Sequence, residues 1–184
     1  TPSISSAASD VYKRQQYDHL FIWSYDDRDI VGAYRLGDAG KLMKQAGVAG
    51  LYTHTLFHFS PAMNSYLEHG LELGRSFVQP KYQNRYALEY LWQGIGAFVQ
   101  EHPKIRYLFG SASISARYGH EATARIAHFY KTHMNQLPVD VSPRTPFCVS
   151  DSLEAQLTNE MPGNDYQTDL TTLQSALAAQ NLTI

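Results

Sequence analysis

Glu72 and Arg75 stand three apart in "LELGRSFV", residues 71–78, a run otherwise apolar enough for a buried strand. A carboxylate there is a proton acceptor, and a guanidinium holds negative charge. Burying either one unpaired carries a large cost. Strand alternation puts Glu72, Gly74, Ser76 and Val78 on one face and Leu71, Leu73, Arg75 and Phe77 on the other. The two charges therefore meet only if the strand bulges, and Gly74 between them is a natural place for that. Three arrangements satisfy both: an ion pair through the bulge, partners on neighbouring strands, or a cleft where both meet a substrate. Arg35 in "VGAYRLG" is a third charged side chain inside a strand-like run. Other chemistries have less support. His54 and His58 are four apart without the glutamate of an HExxH pattern, so no metal site is expected. Ser111, Ser113 and Ser115 alternate but lack a nucleophile-elbow context. Cys148 is the single cysteine, which leaves no disulfide framework and no cysteine metal motif.

The elements that must position these residues follow from the pattern. "LFIW" and "DIVGAYRLG" read as two strands joined by the turn "YDDRD". "DAGKLMKQAG" reads as a short helix with Asp38 as N-cap and a glycine exit. A further helix is expected after Phe59, with Ser60 as N-cap, Pro61 at its first position and Gly70 closing it. The strand 71–78 ends at Gln79-Pro80. A helix over about 83–100 follows, with Leu88, Leu91, Trp92, Ile95 and Val99 as its buried stripe. Another strand is expected in "IRYLFGSASIS". "GHEATARIAHFYKTHM" then gives a helix buried through Ile126, Phe129 and Tyr130, and a last helix runs from Asp169 to Gln180. The order predicts an α/β (α+β) domain with a mixed central sheet flanked by helices. Residues 1–15 read as a non-native or disordered leader, 16–150 as the domain, and 151–184 as a polar segment with one helix.

The 184 residues carry a formal net charge of -2, so charge gives no pull towards nucleic acid or anionic lipid. No apolar run approaches the ~20 residues of a membrane span, and the N-terminus has no signal-peptide order. A reducing, cytoplasmic setting is the expectation.

The runs "IVGAYRLG", "LYTHTLF", "LELGRSFVQPKYQNRYALEYLWQGIGAFV" and "YLFGSASIS" resemble the hemolysin-like and ornithine-lipid-synthesising N-acyltransferases. That family belongs to the GCN5-related N-acetyltransferase superfold and is related to acyl-homoserine-lactone synthases. The resemblance covers roughly residues 17–150, and "ELGRSFV" with "LWQGI" is its most specific part. It implies transfer of a fatty, in some members 3-hydroxylated, acyl group from acyl carrier protein to the amine of an amino acid such as ornithine, in bacterial membrane lipid synthesis. It implies a central strand that splays from its neighbour to admit an acyl-pantetheine arm. It carries over to Arg35, Glu72 and Arg75 as acceptor-site or catalytic residues, Glu72 as candidate base. Measured against the family, the chain reads as a fragment truncated at both ends.

The chemistry so implied is aminolysis of a thioester. It needs a proton acceptor and donors for a tetrahedral oxyanion. Backbone N–H groups near Phe77 and Val78 are the expected donors. The helix start "KYQNRYAL" lacks the glycines that cradle a pyrophosphate, which favours a carrier-protein pantetheine arm over coenzyme A. Lys81 and Arg85 are placed to meet its phosphate or the carrier's acidic face. No bound cofactor is expected, and peripheral contact with the inner membrane fits a lipid product. The remaining readings are a coenzyme-A-dependent acyltransferase and a non-catalytic module that positions a lysophospholipid-acyltransferase domain.

Overall fold

The computed structural model describes residues 16–83, 85–134 and 140–182, with Arg85 described by its backbone alone. The expected leader, residues 1–15, lies outside the described residues. In chain order the elements are β1 (Asp18–Ser24), β2 (Asp29–Asp38), α1 (Ala39–Ala46), β3 (Phe57–Phe59), α2 (Asn64–Leu67), β4 (Gly70–Val78), α3 (Arg85–Glu101), β5 (Tyr107–Gly110), α4 (Gly119–His133), β6 (Val141–Pro143), α5 (Asp151–Glu160) and α6 (Tyr166–Ala178). The fold is mixed α/β, as expected. It divides into two compact units: 1–111 with 139–144, and 112–138 with 145–184. The domain drawn from the sequence ran on to residue 150.

The first unit holds a four-stranded sheet of order β1-β2-β4-β5. The β1–β2 and β2–β4 pairs are antiparallel and β4–β5 is parallel. Leu20, Tyr34, Leu36, Leu71 and Leu73 face α3 and pack with Ile95, Phe98 and Val99. The opposite face packs Tyr17 and Phe109 against Leu42, Leu51, Met63 and Leu67. β3 and β6 form a separate antiparallel pair.

Local chemistry explains the boundaries. Asp38 caps α1 by accepting from the Lys41 N–H at 2.9 Å. Gly47 ends that helix at φ 63°, a conformation glycine takes at no steric cost. Four sequence expectations are corrected. Ser60 does not cap. A 3-10 turn, Pro61–Met63, leads into the four-residue α2, and Gly70 opens β4 instead of closing a helix. β5 is only Tyr107–Gly110, because β4–β5 pairing stops at Leu73–Gly110 and any side chain at Gly110 would overlap the Leu73 carbonyl. The buried line of α3 is Ala87, Leu91 and Ile95, while Leu88 and Trp92 are about half exposed, at 48% and 47%. Their places are taken by the small residues that let the helix come close. Gly94 lies against Leu20, where a Cβ would come within 3.0 Å of its methyls.

The second unit is a three-helix cluster, α4, α5 and α6, around Ile126, Phe129, Leu157, Met161, Leu173 and Leu177. Tyr130, expected inside, is 54% exposed, and Ala122 and Ala124 are buried in its place. Arg125 is buried and pairs with Glu121 at 3.0 Å and with Glu160 of α5. His133 of α4 meets Asp169 of α6 at 2.8 Å, and the Gly163 N–H donates to the same carboxylate oxygen.

Candidate active site

β4 bulges just after Gly74, at the second of its two charged residues. Arg35 pairs with Gly74 and Ala33 with Phe77, so β4 spends one residue more than β2 over that interval. The extra residue sits at Arg75, whose φ is 52°, a left-handed conformation that is rare outside glycine. The bulge inverts the alternation beyond it. Phe77 comes to the face that carries Glu72, Arg35 and Gly74, against the unbulged expectation. Gly74 itself is unstrained, so the distortion falls one residue later than the glycine suggests.

Glu72 is 1% exposed and accepts four hydrogen bonds. Its donors are the Tyr17 hydroxyl, the Tyr52 N–H at 3.1 Å, the Thr53 N–H at 2.6 Å and the Thr53 hydroxyl at 2.6 Å. A carboxylate offers about four lone-pair sites, so Glu72 is saturated. It pins the 3-10 turn Thr53–Thr55 to the sheet. Tyr17 reaches Glu72 by lying across Gly37, where any side chain would overlap its ring. Burial, and then the Glu72 charge, push the Tyr17 hydroxyl far above its usual pKa.

The two arginines flank one ring. The Cζ atoms of Arg35 and Arg75 lie 5.5 and 5.4 Å from the Tyr52 ring centre, and Arg35 also stands 4.6 Å over Tyr17. Among the described residues neither guanidinium has a carboxylate within ion-pair distance. Arg35 is only 5% exposed, and its Nε has no hydrogen-bond partner. Glu72, Arg75 and Arg35 are thus brought together around Tyr52, with no direct ion pair. Sequence reasoning missed Tyr17, Gly37, Tyr52 and Thr53. The glycine of "RLGD" is the one signal that could have pointed at this packing.

Residues 74–78 of β4 have no strand partner on the β5 side among the described residues. The Gln79 N–H bonds to the Val31 carbonyl at 2.9 Å. Antiparallel alternation then makes Ala33–Phe77 the next hydrogen-bonded pair and turns the Val78 N–H towards the open edge. Of the two expected backbone donors, Phe77 is spent on β2 and Val78 is aimed outward. Val78 also lies six residues beyond Glu72, roughly 20 Å along an extended strand. One carbonyl cannot touch both. The edge at Val78 suits the body of an extended arm, and a reacting carbonyl near Glu72 has to sit at the bulge.

Phe21, Ala33 and Phe77 align across three strands on the Glu72 face, with both phenylalanines about half exposed. Lys81 is engaged by Asp29 at 3.1 Å and lies 4.6 Å from the Tyr82 ring centre. The Tyr82 and Asp29 contacts raise its pKa above the usual lysine value. That exposed pair is weak and displaceable. Arg85 opens α3, and its side chain lies outside the described residues. A cleft of about 950 Å³ opens elsewhere, lined by Lys41, Lys44, Glu68, His69 and Lys104, and none of the sequence-derived site residues lines it. No helix among the described residues is long and apolar enough to cross a membrane.

Comparison with known proteins fits this geometry. Residues 9–93 match the family model described as "Acetyltransferase (GNAT) domain". A glycine N(alpha)-acyltransferase of Bacteroides thetaiotaomicron is 34% identical over 75% of this chain and 44% of its own. A protein of the same name from Phocaeicola vulgatus is 31% identical over 71% of this chain and 43% of its own. An L-ornithine N(alpha)-acyltransferase of Brucella abortus is 32% identical over 52% of this chain and 35% of its own. The chain spans less than half the length of these relatives. No solved structure matches it significantly.

Proposed function

We propose that this chain is part of an N-acyltransferase that moves a fatty acyl group, including a 3-hydroxylated one, from a thioester to the α-amine of an amino acid. The observation that carries the reading is the cluster at the point where β4 leaves β5: a saturated, buried Glu72 beside two guanidiniums. The names of the relatives support it, since glycine and L-ornithine are both α-amino acids. The donor in this reading is acyl carrier protein, because the start of α3 has no glycine-rich loop for a nucleotide pyrophosphate. The product is a membrane lipid or its precursor, made in the cytoplasm or at the inner leaflet.

The pantetheine arm lies along the open edge of β4 as an added strand, with the Val78 N–H on one of its amides. Its phosphate points to the start of α3, near Lys81 and Arg85. The acyl chain follows the Phe21–Phe77 row. The thioester carbonyl sits at the bulge, beside the open edge of β4. The amine nitrogen attacks that carbonyl carbon, a C–N bond forms, and the C–S bond breaks with sulfur leaving as thiolate. Glu72 has no unoccupied oxygen, so the proton reaches it through Tyr17. The Tyr17 oxygen takes the proton of the amine as its own passes to Glu72. The proton then returns to the departing sulfur.

The test is mass spectrometry of lipids from a host expressing the full-length gene beside its Glu72→Gln variant. An amide-linked acyl-amino-acid lipid is expected, and it should be lost in the variant. No such product from folded wild type, with acyl carrier protein supplied, would sink the reading. Supplying the donor as acyl-coenzyme A in a parallel assay separates the two carriers.

A further inference from the structure

The Glu72 cluster buries a guanidinium that has no anion of its own among the described residues. Arg35 and Arg75 bring two cations to the Tyr52 ring, and Glu72 is the one carboxylate described there, already saturated by Tyr17, Tyr52 and Thr53. Arg35 is the telling member. It is 95% buried, its Nε has no partner, and no carboxylate among the described residues reaches it. A guanidinium taken out of water without an anion is costly, and two aromatic faces offset only part of that. Across the ladder from Arg35 stands Gly74, on the same face. A Cβ at Gly74 would meet no atom within 4 Å. An open seat therefore lies beside a buried guanidinium whose Nε is unpartnered, with Arg75 re-aimed towards the same ring by the bulge.

We infer that Arg35 binds the α-carboxylate of the acceptor amino acid, which sits over Gly74 with its amine directed at the thioester carbonyl. The inference rests on the proposed acyl transfer to an amino acid and names the group that selects this acceptor. A guanidinium fork pairs with a carboxylate through two parallel hydrogen bonds. A bound carboxylate supplies that anion and fixes the amine one carbon away. Plain amines, which lack that handle, are excluded. Arg35 is then a specificity residue that touches substrate, and Glu72 holds the wall around it.

The test titrates the 184-residue chain with glycine, L-ornithine, glycinamide and 4′-phosphopantetheine, followed by NMR shift changes. Glycine should bind and glycinamide should bind roughly 10- to 100-fold more weakly, the range for a charged hydrogen-bonding pair. Arg35→Met should weaken glycine by a similar factor and keep or raise the thermal midpoint, because it removes a buried unpaired charge. Gly74→Ala puts a Cβ into the seat without a clash and should also weaken glycine binding in a folded chain. Equal binding of glycine and glycinamide overturns the inference. So does undiminished glycine binding by Arg35→Met, or failure of both amino acids to bind. If Arg35 instead governs 4′-phosphopantetheine binding, the site belongs to the donor phosphate and the inference falls. The failures are separable. Acylation of glycine with an unchanged KM in Arg35→Met overturns the carboxylate site alone. Arg35-dependent glycine binding without any acyl product overturns the transferase reading.

Discussion

Gly37 and Tyr17 set the surroundings of Glu72, and neither looks chemical in the sequence. The Tyr17 ring occupies the volume that a side chain at position 37 would need. Gly37→Ala should therefore push Tyr17 off Glu72 and cost about 1–3 kcal/mol, the range for overpacking a filled site. Tyr17→Phe removes one hydrogen bond to a charged acceptor and should cost about 1.5–3 kcal/mol. The two changes strike the same contact, so the double variant should cost less than the sum. Urea unfolding of the four proteins measures this, and strict additivity would mean that Gly37 does not position Tyr17. The charged residues themselves were legible: a glutamate and an arginine in a core strand demand partners, and the bulge that reconciles them follows from the pleat. Their partners were not legible. Tyr52 and Thr53 come from a turn about 20 residues earlier in the chain, and no local period announces a backbone N–H aimed at a carboxylate.

At the scale of elements, the strands and the long helix were readable because apolar period and proline stops agree over 70–101. The face of α3 was read correctly at Leu91, Ile95 and Val99 and misread at Leu88 and Trp92. Weight of side chain pointed to Leu88 and Trp92, but the closest line to a sheet is set by small residues such as Ala87 and Gly94. α5 was missed because Leu153 and Leu157 are its sparse apolar signal among polar neighbours. Leu157 packs it into the helical core, and a charge adds to its docking on α4. Arg125, buried, holds Glu160 of α5, and Gln156 donates to the other oxygen at 2.7 Å. The Arg125 and Gln156 hydrogen bonds keep the Glu160 carboxyl below its usual value of 4.5. A depressed carboxylate contributes stability that is fully present above its unfolded pKa and is lost as pH falls through the folded one. Glu160→Gln should therefore be less stable than wild type at pH 7, with the gap closing below about pH 4.5. Thermal midpoints of both proteins between pH 7 and pH 3 test it, and a gap that stays constant with pH would show that the carboxylate charge contributes nothing.

The whole molecule follows from where the cores lie. The two clusters on the faces of the sheet draw every member from the first unit, and the helical cluster draws every member from the second. Apolar burial is the dominant stabilising term, so a unit with its own closed core can melt on its own schedule. The units divide after residue 111 and again after residue 144, and two such units are expected to unfold as two cooperative blocks. Calorimetry of the 184-residue chain should accordingly resolve two transitions. Gly37→Ala, inside the sheet unit, should lower one of them and leave the other in place. Glu160→Gln, inside the helical unit, should lower the other. A ligand that fills the seat over Gly74 should raise only the transition that Gly37→Ala lowers, because binding stabilises the unit that holds the site. One transition moved equally by both variants would mean that the two cores fold as a single block. The proposed acceptor site would then depend on the helices as much as on the sheet.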